Sequence, residues 1–321
     1  MTFWSNRRVL VTGCSGLIGG YMAKTLLALK ADVVGFDVTP VGTLPEHGIF
    51  AQFPITVGDM LLHTSELEKR LRTAEVVIHL AANSGVEASK RSGAGAFRAN
   101  IVGTLNILEL ASKTGVPSVV VASSNHVYGA QEVRPTPETA QLNQLDTYSA
   151  SKICADYLAR AYAYNYGTPT AIVRNTNCYG PIDPHHDHII PATIISLLNG
   201  ESPVIKGTGE TVKSYIHVQD TVNAYLAVAE WVYITGRAGE AFNVADPESK
   251  RSVAHLVQDI ARAAHESDTD VDILGGENDQ NDEDLAIEKI RNEIGWVPSY
   301  TLTRGLRETA DYLASKRKVT A

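Results

Sequence analysis

Short apolar runs alternate with amphipathic segments along the first half of the chain. Residues 9–11 form a run rich in β-branched side chains that predicts a buried strand, and from residue 17 the apolar spacing becomes helical through residue 30. The alternation recurs downstream, with strands predicted over 32–37, 53–57, 76–82 and 119–122 and helices over 64–72 and 96–113. Its continuation to about residue 175 predicts a doubly wound parallel α/β sheet with sites at the carboxyl ends of its strands.

The regular alternation loosens beyond residue 177. The pattern there predicts helices over 189–199, 219–233 and 303–316 and short strands near 203–206 and 241–244. Residues 266–284 contain nine acidic residues and no basic one, which predicts a solvated strand and loop. We therefore predict a larger domain over residues 1–176 and a smaller C-terminal α/β domain over residues 177–321, with chain crossovers between them.

The composition is that of a globular protein, since 44% of the 321 residues are hydrophobic and 20% are charged. No apolar run reaches the roughly 20 residues of a membrane span, and the first strand begins close to the N-terminus, so we expect neither a membrane segment nor a signal peptide. Three cysteines without C-x-x-C spacing suit a reducing compartment, and we expect a cytoplasmic protein. The net charge of −8 argues against a nucleic-acid partner.

Three glycines follow the first predicted strand at three-residue spacing, Gly13, Gly16 and Gly19, and a helix is predicted to begin at Leu17. A glycine turn between a strand and a helix presents free backbone N–H groups and the helix dipole to an anion, so it can hold a pyrophosphate. An ordinary glycine turn is the alternative. Asp37 favours the dinucleotide interpretation, because it lies 18 residues beyond Gly19, near the spacing of the acid that binds a ribose diol. A carboxylate there repels a 2′-phosphate, which favours NAD over NADP.

Tyr148 and Lys152 are four residues apart in a predicted helix and so share one face. A tyrosine with its usual pKa of about 10 is a weak base at neutral pH. A nearby lysine, together with the positive nicotinamide ring, favours the phenolate and lowers that pKa. Ser124, at the end of the fifth strand, is placed to share a substrate hydroxyl with the phenolate. Chance helical spacing is the alternative, and the position after the fifth strand favours a catalytic role.

On these stretches the chain resembles the extended short-chain dehydrogenases/reductases, and within them the NAD-dependent nucleotide-sugar epimerase/dehydratase family. The matches span nearly the whole chain in the family's order: TGCSGLIGG at 12–20, Asp37, GDM at 58–60, HLAA at 79–82, Asn100, ASSNHVYG at 122–129, YSASK at 148–152, RNTNCYGP at 174–181, SYIHVQD at 214–220 and GWVP at 295–298. The resemblance implies a Rossmann domain with tightly held NAD, a smaller substrate-binding domain for a nucleotide sugar, and a homodimer formed through helices 96–113 and 147–166.

The resemblance also implies roles for individual residues. Tyr148 removes the proton of the sugar 4-hydroxyl while hydride leaves C4, Lys152 holds the NAD ribose, and Ser124 orients the hydroxyl. The cofactor-binding residues implied are Gly13, Gly16, Leu17, Ile18, Gly19, Asp37, Asp59, Met60, Leu80, Ala81, Ala82, Asn100, Tyr148 and Lys152. The substrate-binding residues implied are Ser84, Asn177, His188, Ile205, Lys213 and Tyr215.

Two departures from the family pattern affect the expected chemistry. After Ser124, epimerases of this family usually carry small residues and 4,6-dehydratases an Asp–Glu pair, whereas this chain has Asn125 and His126. We count both as candidate catalytic residues, since His126 can move a proton near pH 7; the alternative is a histidine turned into the strand. Lys213 stands where the family often has an arginine, and a later arginine is missing, so the pyrophosphate contacts differ as well.

Histidine and aspartate crowd the stretch PIDPHHDH at residues 181–188. No helix or strand is predicted to fix their spacing and no cysteine joins them, so we expect no metal site. We expect instead a loop that folds over the substrate, with His188 as a contact.

Within the family, the chain most resembles the UDP-N-acetylglucosamine 5,6-dehydratases of antibiotic biosynthesis, and this resemblance implies the same activity. Oxidation at C4 acidifies the C5 proton, water is lost across C5 and C6, and the hydride returns to C4. A UDP-hexose 4-epimerase would give no alkene, and a uronate dehydrogenase, which shares an SSNHV-like stretch, would consume NAD stoichiometrically. A non-catalytic NAD-binding regulator is a further alternative, against which the intact Ser124, Tyr148 and Lys152 argue.

Overall fold

A central parallel β-sheet organises the protein. The structure, a computed structural model, describes residues 2–85, 89, 92–205, 207–265, 272–275 and 282–320. The strands in this part of the chain are β1 (Arg8–Thr12), β2 (Asp32–Asp37), β3 (Ile55–Val57), β4 (Val76–His79), β5 (Ser118–Ala122), β6 (Thr170–Asn175), β7 (Asn177–Tyr179), β8 (Val204–Ile205), β9 (Val212–Lys213), β10 (Tyr215–His217), β11 (Glu240–Val244), β12 (Arg251–Ser252) and β13 (Asp272–Ile273). Seven of them form the sheet, in the order β11-β6-β5-β4-β1-β2-β3, which confirms the predicted doubly wound α/β fold.

Helices cover both faces of this sheet. The helices are α1 (Leu17–Ala28), α2 (Thr64–Leu71), α3 (Gly93–Phe97), α4 (Gly103–Thr114), α5 (Thr147–Tyr166), α6 (Ile189–Asn199), α7 (Val218–Thr235), α8 (Val253–His265), α9 (Glu288–Ile294) and α10 (Leu302–Thr320). Val9 and Val11 pack with α1 and α7, whereas Leu10 packs with α2 and α4 on the opposite face. Because both faces are buried, the strands read as continuous apolar runs in the sequence.

The chain beyond β6 divides between the sheet and a smaller layer. The buried side chains of β7, β10, α6, α8 and α10 form a separate small core. In contrast, α7 packs on the sheet and β11 pairs with β6 in parallel. The domain boundary after residue 176 stays a prediction, and α7 and β11, which follow it, return to the sheet.

Two elements near the carboxyl end of β4 differ from their predicted form. The strand predicted over 76–82 ends at His79, whose ring is held between Thr12 Oγ1 at 2.8 Å and Thr104 Oγ1 at 3.0 Å. The helix predicted over 96–113 is interrupted by a π-helical turn, Arg98–Val102.

Helices α8 and α9 were not predicted. Of the acidic stretch predicted over 266–284, residues 266–271 and 276–281 lie outside the described residues.

A buried ion pair joins the longest helix to the sheet. Arg174 of β6 has no solvent exposure, and its Nε and Nη2 donate to the two carboxylate oxygens of Asp156 in α5 at 2.8 and 3.0 Å. Its Nη1 donates to the Tyr128 hydroxyl at 2.7 Å and to the carbonyl of Glu138. Arg174 therefore fixes α5, β6 and the segment after β5 relative to one another. Among the described residues, no helix is both long and apolar enough to span a membrane.

Replacing Arg174 by methionine leaves Asp156 buried without its partner. We expect the Arg174→Met variant to lose about 3–5 kcal/mol in the free energy of unfolding, measured by urea denaturation. Arg160→Met is the matched control, because Arg160 contacts the same carboxylate from a partly exposed position and should cost about 1 kcal/mol or less. Equal losses in the two variants would contradict this account of the buried pair.

Candidate active site

A cleft of about 830 Å³ opens at the carboxyl ends of the sheet strands. Its volume suits a small-molecule or cofactor site. Nearly all residues predicted to bind the cofactor line it: Gly13, Gly16, Leu17, Ile18, Gly19, Asp37, Asp59, Met60, Leu80, Ala81, Ala82, Tyr148 and Lys152.

The glycine turn forms one end of the cleft. Gly13 has a φ of +70°, and a Cβ there would lie 2.7 Å from the backbone nitrogen of Ala81. A Cβ on Gly19 would overlap the carbonyl oxygen of Gly13. Gly16 is different, because its Cβ would meet only that same oxygen at 3.5 Å, and it forms the N-cap of α1. Gly13 and Gly19 are thus needed for backbone packing, whereas Gly16 leaves the helix N-terminus open to an anion.

Asp37 lies at the end of β2 on the cleft edge. Its Oδ2 accepts from the backbone N–H of Ser15 at 2.9 Å and its Oδ1 from that of Thr39 at 3.1 Å. These bonds fix the carboxylate, and each oxygen has a further lone pair for a ribose hydroxyl. Asp59 instead uses Oδ1 to accept from the Leu61 N–H at 2.8 Å, which fixes the turn beside Met60.

Asn100 is the predicted cofactor residue that does not line the cleft. It is almost fully buried, and its Oδ1 accepts from the backbone N–H of Asn83 at 2.7 Å. Its Nδ2 donates to the Asn83 carbonyl at 3.0 Å and to Ser151 Oγ at 2.8 Å. Asn100 therefore ties the exit of β4 to α5 and positions Asn83, which lines the cleft.

Tyr148, Ser124 and Lys152 meet in the middle of the cleft. Burial raises the pKa of Tyr148, and a hydrogen bond with Ser124 offsets part of that rise. Lys152 Nζ donates to the carbonyl of Ala122 at 3.0 Å, and burial lowers its pKa to about 8. Burial thus outweighs the expected effect of Lys152 on the Tyr148 pKa. The lower tyrosine pKa stays a prediction for the enzyme with its positive nicotinamide in place.

His126 turns toward the cleft and not into the strand. It belongs to a 3₁₀ turn after β5, Asn125–Tyr128, whose N-cap Ser124 accepts from the His126 backbone N–H at 3.2 Å. The imidazole lies edge-on to the Tyr148 ring with 6.1 Å between centroids, and its Nε2 faces Glu283 Oε1 at 3.9 Å. Asn125 is buried, and its Nδ2 has no hydrogen-bond partner among the described residues. The turn therefore offers one titratable group and one free donor beside Tyr148.

The predicted substrate residues separate into two groups. Ser84, Asn177 and His188 line the cleft. His188 Nδ1 lies 2.9 Å from Asp183 Oδ2, and this hydrogen bond raises the pKa of the imidazole. The other three, which do not line the cleft, are Ile205, Lys213 and Tyr215.

Lys213 faces a carboxylate that sequence reasoning missed. Its Nζ is 2.8 Å from Glu283 Oε1, and both side chains are about nine-tenths buried. Asn177 Nδ2 donates to the other oxygen of Glu283. Glu283 belongs to the acidic run expected in solvent, so that expectation is wrong at this position. The sequence gives no sign of it, because the neighbouring acids look alike and only the folded chain brings one inward.

The sequence matches a known protein family. A model of the NAD dependent epimerase/dehydratase family matches residues 9–245, and the chain belongs to this family. It is accordingly an enzyme with NAD as its cofactor, and the glycine turn, the fixed Asp37 carboxylate and the buried Lys152 suit that cofactor.

Relatives with different activities align over nearly the full chain. The dTDP-glucose 4,6-dehydratase of Xanthomonas campestris pv. campestris is 31% identical over 94% of this chain and 92% of its own. A UDP-N-acetylglucosamine 4-epimerase from Methanobrevibacter ruminantium M1, solved in complex with UDP-N-acetylmuramic acid, has a TM-score of 0.88 at 26% identity, covering 97% of this chain and 99% of that one. The dTDP-glucose 4,6-dehydratase of Streptomyces venezuelae, solved with NAD bound, has a TM-score of 0.86 at 29% identity, with coverages of 97% and 98%.

Asp37 should determine the choice of dinucleotide. We expect the native protein to bind NAD more tightly than NADP, and Asp37→Ser to weaken NAD binding by about 10- to 100-fold, because charge-assisted hydrogen bonds to the ribose are lost. Calorimetric titration measures both affinities. Asp32→Ser is the control, since Asp32 lies at the opposite end of β2 and pairs with Arg8 at the surface. Native affinity for NADP equal to that for NAD would contradict the role of Asp37.

Proposed function

We propose that this protein dehydrates a nucleotide-activated hexose after oxidising it at C4. The observation that carries the proposal is the position of His126, between Tyr148 and the carboxylate of Glu283. Oxidation and reduction at C4 need only the tyrosine and its partners. A second titratable group in the same cleft serves a second proton transfer, which water loss requires and epimerisation does not.

Tyr148 and Ser124 carry out the first step in this proposal. Ser124 Oγ holds the sugar 4-hydroxyl, and the Tyr148 phenolate oxygen removes its proton. NAD, when bound, supplies the acceptor for the hydride from C4. Lys152 holds the ribose of the cofactor, and its charge stabilises the phenolate.

His126 acts in the second step. The ketone at C4 acidifies the proton on C5, and the neutral imidazole removes it. The same proton then passes to the departing C6 hydroxyl, so one side chain acts first as base and then as acid. The free Nδ2 of Asn125 is available to hold a sugar oxygen while the bond to C6 breaks.

The finer assignment is a UDP-N-acetylglucosamine 5,6-dehydratase, the activity used in tunicamycin assembly. Return of hydride to C6 needs a separate acid to protonate C5, and the Asn125–His126 pair provides a single titratable side chain. Return to C4 needs only Tyr148, which gives its proton back to the C4 oxygen. The structural similarity to a UDP-N-acetylglucosamine 4-epimerase supports the UDP-N-acetyl sugar as substrate.

The 4-epimerase is the second candidate, and the same structural similarity favours it. An epimerase returns hydride to the opposite face of C4 and keeps the C6 hydroxyl. Its product has the mass of the substrate, whereas a dehydratase product is lighter by one water.

We further propose a homodimer through α4 and α5. Apolar or aromatic side chains remain exposed on α5 and on α3 and the π-helical turn that lead into α4: Phe97, Val102, Tyr157 and Tyr164. Such exposure on neighbouring helices supports burial against a second copy.

Tyr148→Phe tests the oxidation step. The variant keeps the ring and loses the phenolate, so we expect C4 oxidation to fall by at least about 10²–10⁴-fold while NAD binding stays near native. Stopped-flow absorbance of reduced nicotinamide measures the step. Tyr164→Phe, at an exposed position of the same helix, is the control. Near-native oxidation by Tyr148→Phe would remove this residue from the mechanism.

His126→Gln tests the elimination step. We expect it to retain C4 oxidation but to lose about 10²–10⁴-fold in dehydration, because no side chain then carries the C5 proton. Mass spectrometry of the sugar nucleotide measures water loss, and His255→Gln, at an exposed position on α8, is the control. Dehydration at the native rate by His126→Gln would assign the elimination to Tyr148 or another group.

A further inference from the structure

Three consecutive acids near the end of the acidic stretch have different surroundings. Asp282 pairs with Arg134 at 2.8 Å, and Asp284 pairs with Lys250 at 2.7 Å, in both cases near the surface. Glu283 between them points inward, and its side chain is only 10% exposed. One carboxylate of this run is thus placed behind the cleft, against Asn177 and His126, which line it.

The backbone holds Glu283 from two sides. Its N–H donates to the carbonyl of Val212 in β9 at 2.9 Å. On the other side, the N–H of Thr136 donates to the carbonyl of Asp284 at 2.7 Å, and Thr136 forms a parallel bridge with Leu285. The inward position is therefore set by main-chain bonds and does not depend on a mobile side chain.

Three side chains face the Glu283 carboxylate. Lys213 Nζ is 2.8 Å from Oε1, and Asn177 Nδ2 donates to Oε2. His126 Nε2 lies 3.9 Å from Oε1, which is within ion-pair distance but longer than a hydrogen bond. Because the site is largely shielded from water, a positive charge on His126 would be stabilised more strongly here than at the surface.

We propose that Glu283 is a positioning residue for His126, stabilising the imidazolium that forms when His126 takes the C5 proton. This inference rests on the proposed dehydration. The charged ring forms an ion pair through Nε2–H with Glu283 across the 3.9 Å gap, which leaves Nδ1 to exchange the proton with the substrate. The arrangement has the logic of a catalytic triad, in which a buried carboxylate fixes the ring and stabilises its charged form.

The proton and electron count closes within this site. Nδ1 takes the proton from C5, and the electron pair of the C5–H bond becomes the second bond between C5 and C6. The C6–O bond breaks with its electron pair on oxygen, and the Nδ1 proton joins that oxygen to give water. His126 ends neutral, as it began, so no further acid or base is consumed.

Other charged groups near His126 also affect the titration of its imidazole. Asp146, at the N-cap of α5, lies close to His126. Burial raises the Asp146 pKa, but hydrogen bonds from Ser149 and Gln144 and the proximity of His126 lower it overall. Tyr148 lies on the same side, and Lys213 stands behind Glu283. Removing the charge of Glu283 alone should therefore disfavour the imidazolium, while Asp146 keeps its charge nearby.

Glu283→Gln is the test, because glutamine keeps the shape and can still accept from Lys213. We expect dehydration to fall by about 10²–10⁴-fold while C4 oxidation stays near native. The acidic limb of the pH–rate profile for dehydration should move to lower pH, because the base His126 is then protonated less readily. Asp284→Asn is the matched control, on the same segment with an outward carboxylate, and should change neither quantity.

A second readout does not need activity. NMR titration of the His126 imidazole, assigned with His126→Gln, should give a lower midpoint in Glu283→Gln than in the native protein and an unchanged one in Asp284→Asn. Should Glu283→Gln fold poorly, the double variant Lys213→Gln/Glu283→Gln keeps a paired amide in place of the ion pair. It should shift the midpoint in the same direction by a smaller amount, because loss of the more distant Lys213 charge acts the other way.

The outcomes separate this inference from the proposed function. The positioning role would be overturned if the native enzyme dehydrates its substrate and Glu283→Gln does so at the same rate with an unshifted His126 midpoint. Glu283 would then be only the counterion of Lys213. Absence of water loss by the native enzyme with any UDP- or dTDP-hexose would overturn the proposed function, and the elimination role of Glu283 with it.

Discussion

The buried pair of Arg174 and Asp156 is the interaction on which the site geometry depends. Tyr148 and Lys152 lie on α5, and His126 lies on the turn that includes Tyr128. One guanidinium joins that helix, the adjoining strand and the Tyr128 hydroxyl. Removing a charge of this kind from water is costly unless every donor is used, so the site tolerates little movement between these parts. The reacting groups are thus held on rigid elements while the cleft remains open.

Burial shifts the pKa values of two residues in the cleft. It raises the pKa of Tyr148 and lowers that of Lys152 to about 8, so both groups shift toward their neutral forms. The positive charge of a bound nicotinamide changes this balance, because it favours the phenolate. We therefore expect the phenolate needed for the proposed C4 oxidation to form when the cofactor is bound.

Local patterns account for the parts of the site that the sequence predicted. The glycine turn, Asp37 and the Tyr148–Lys152 spacing each depend on neighbouring residues in one strand or helix, and all of them line the cleft. Asn100 could be placed near the cofactor but not assigned its contacts, because a π-helical turn directs it to Asn83. Contacts of this kind depend on the tertiary structure and not on the local sequence.

Glu283 marks the limit of composition as evidence. A run of acids predicts solvent exposure, and Asp282, whose side chain is 41% exposed, follows that rule. Asp284 is 18% exposed but pairs with the exposed Lys250, whereas Glu283 pairs with a buried lysine. Glu283 is buried because backbone bonds to Val212 and the neighbouring bridge fix its direction, and Lys213 offsets its charge. Neither the backbone pairing with Val212 nor the ion pair with Lys213 can be recognised as a pattern in the amino-acid sequence. Helices α8 and α9 were also missed, since they follow the point where the strand–helix alternation ends.

The most direct measurement uses UDP-N-acetylglucosamine carrying deuterium at C4, incubated with the native enzyme and its NAD. The account predicts a product lighter than the substrate by one water, with the deuterium still at C4 because the hydride returns there. Mass spectrometry gives the loss of water, and NMR gives the position of the label. A product of unchanged mass with inverted configuration at C4 would contradict the dehydratase account and assign the cleft to epimerisation.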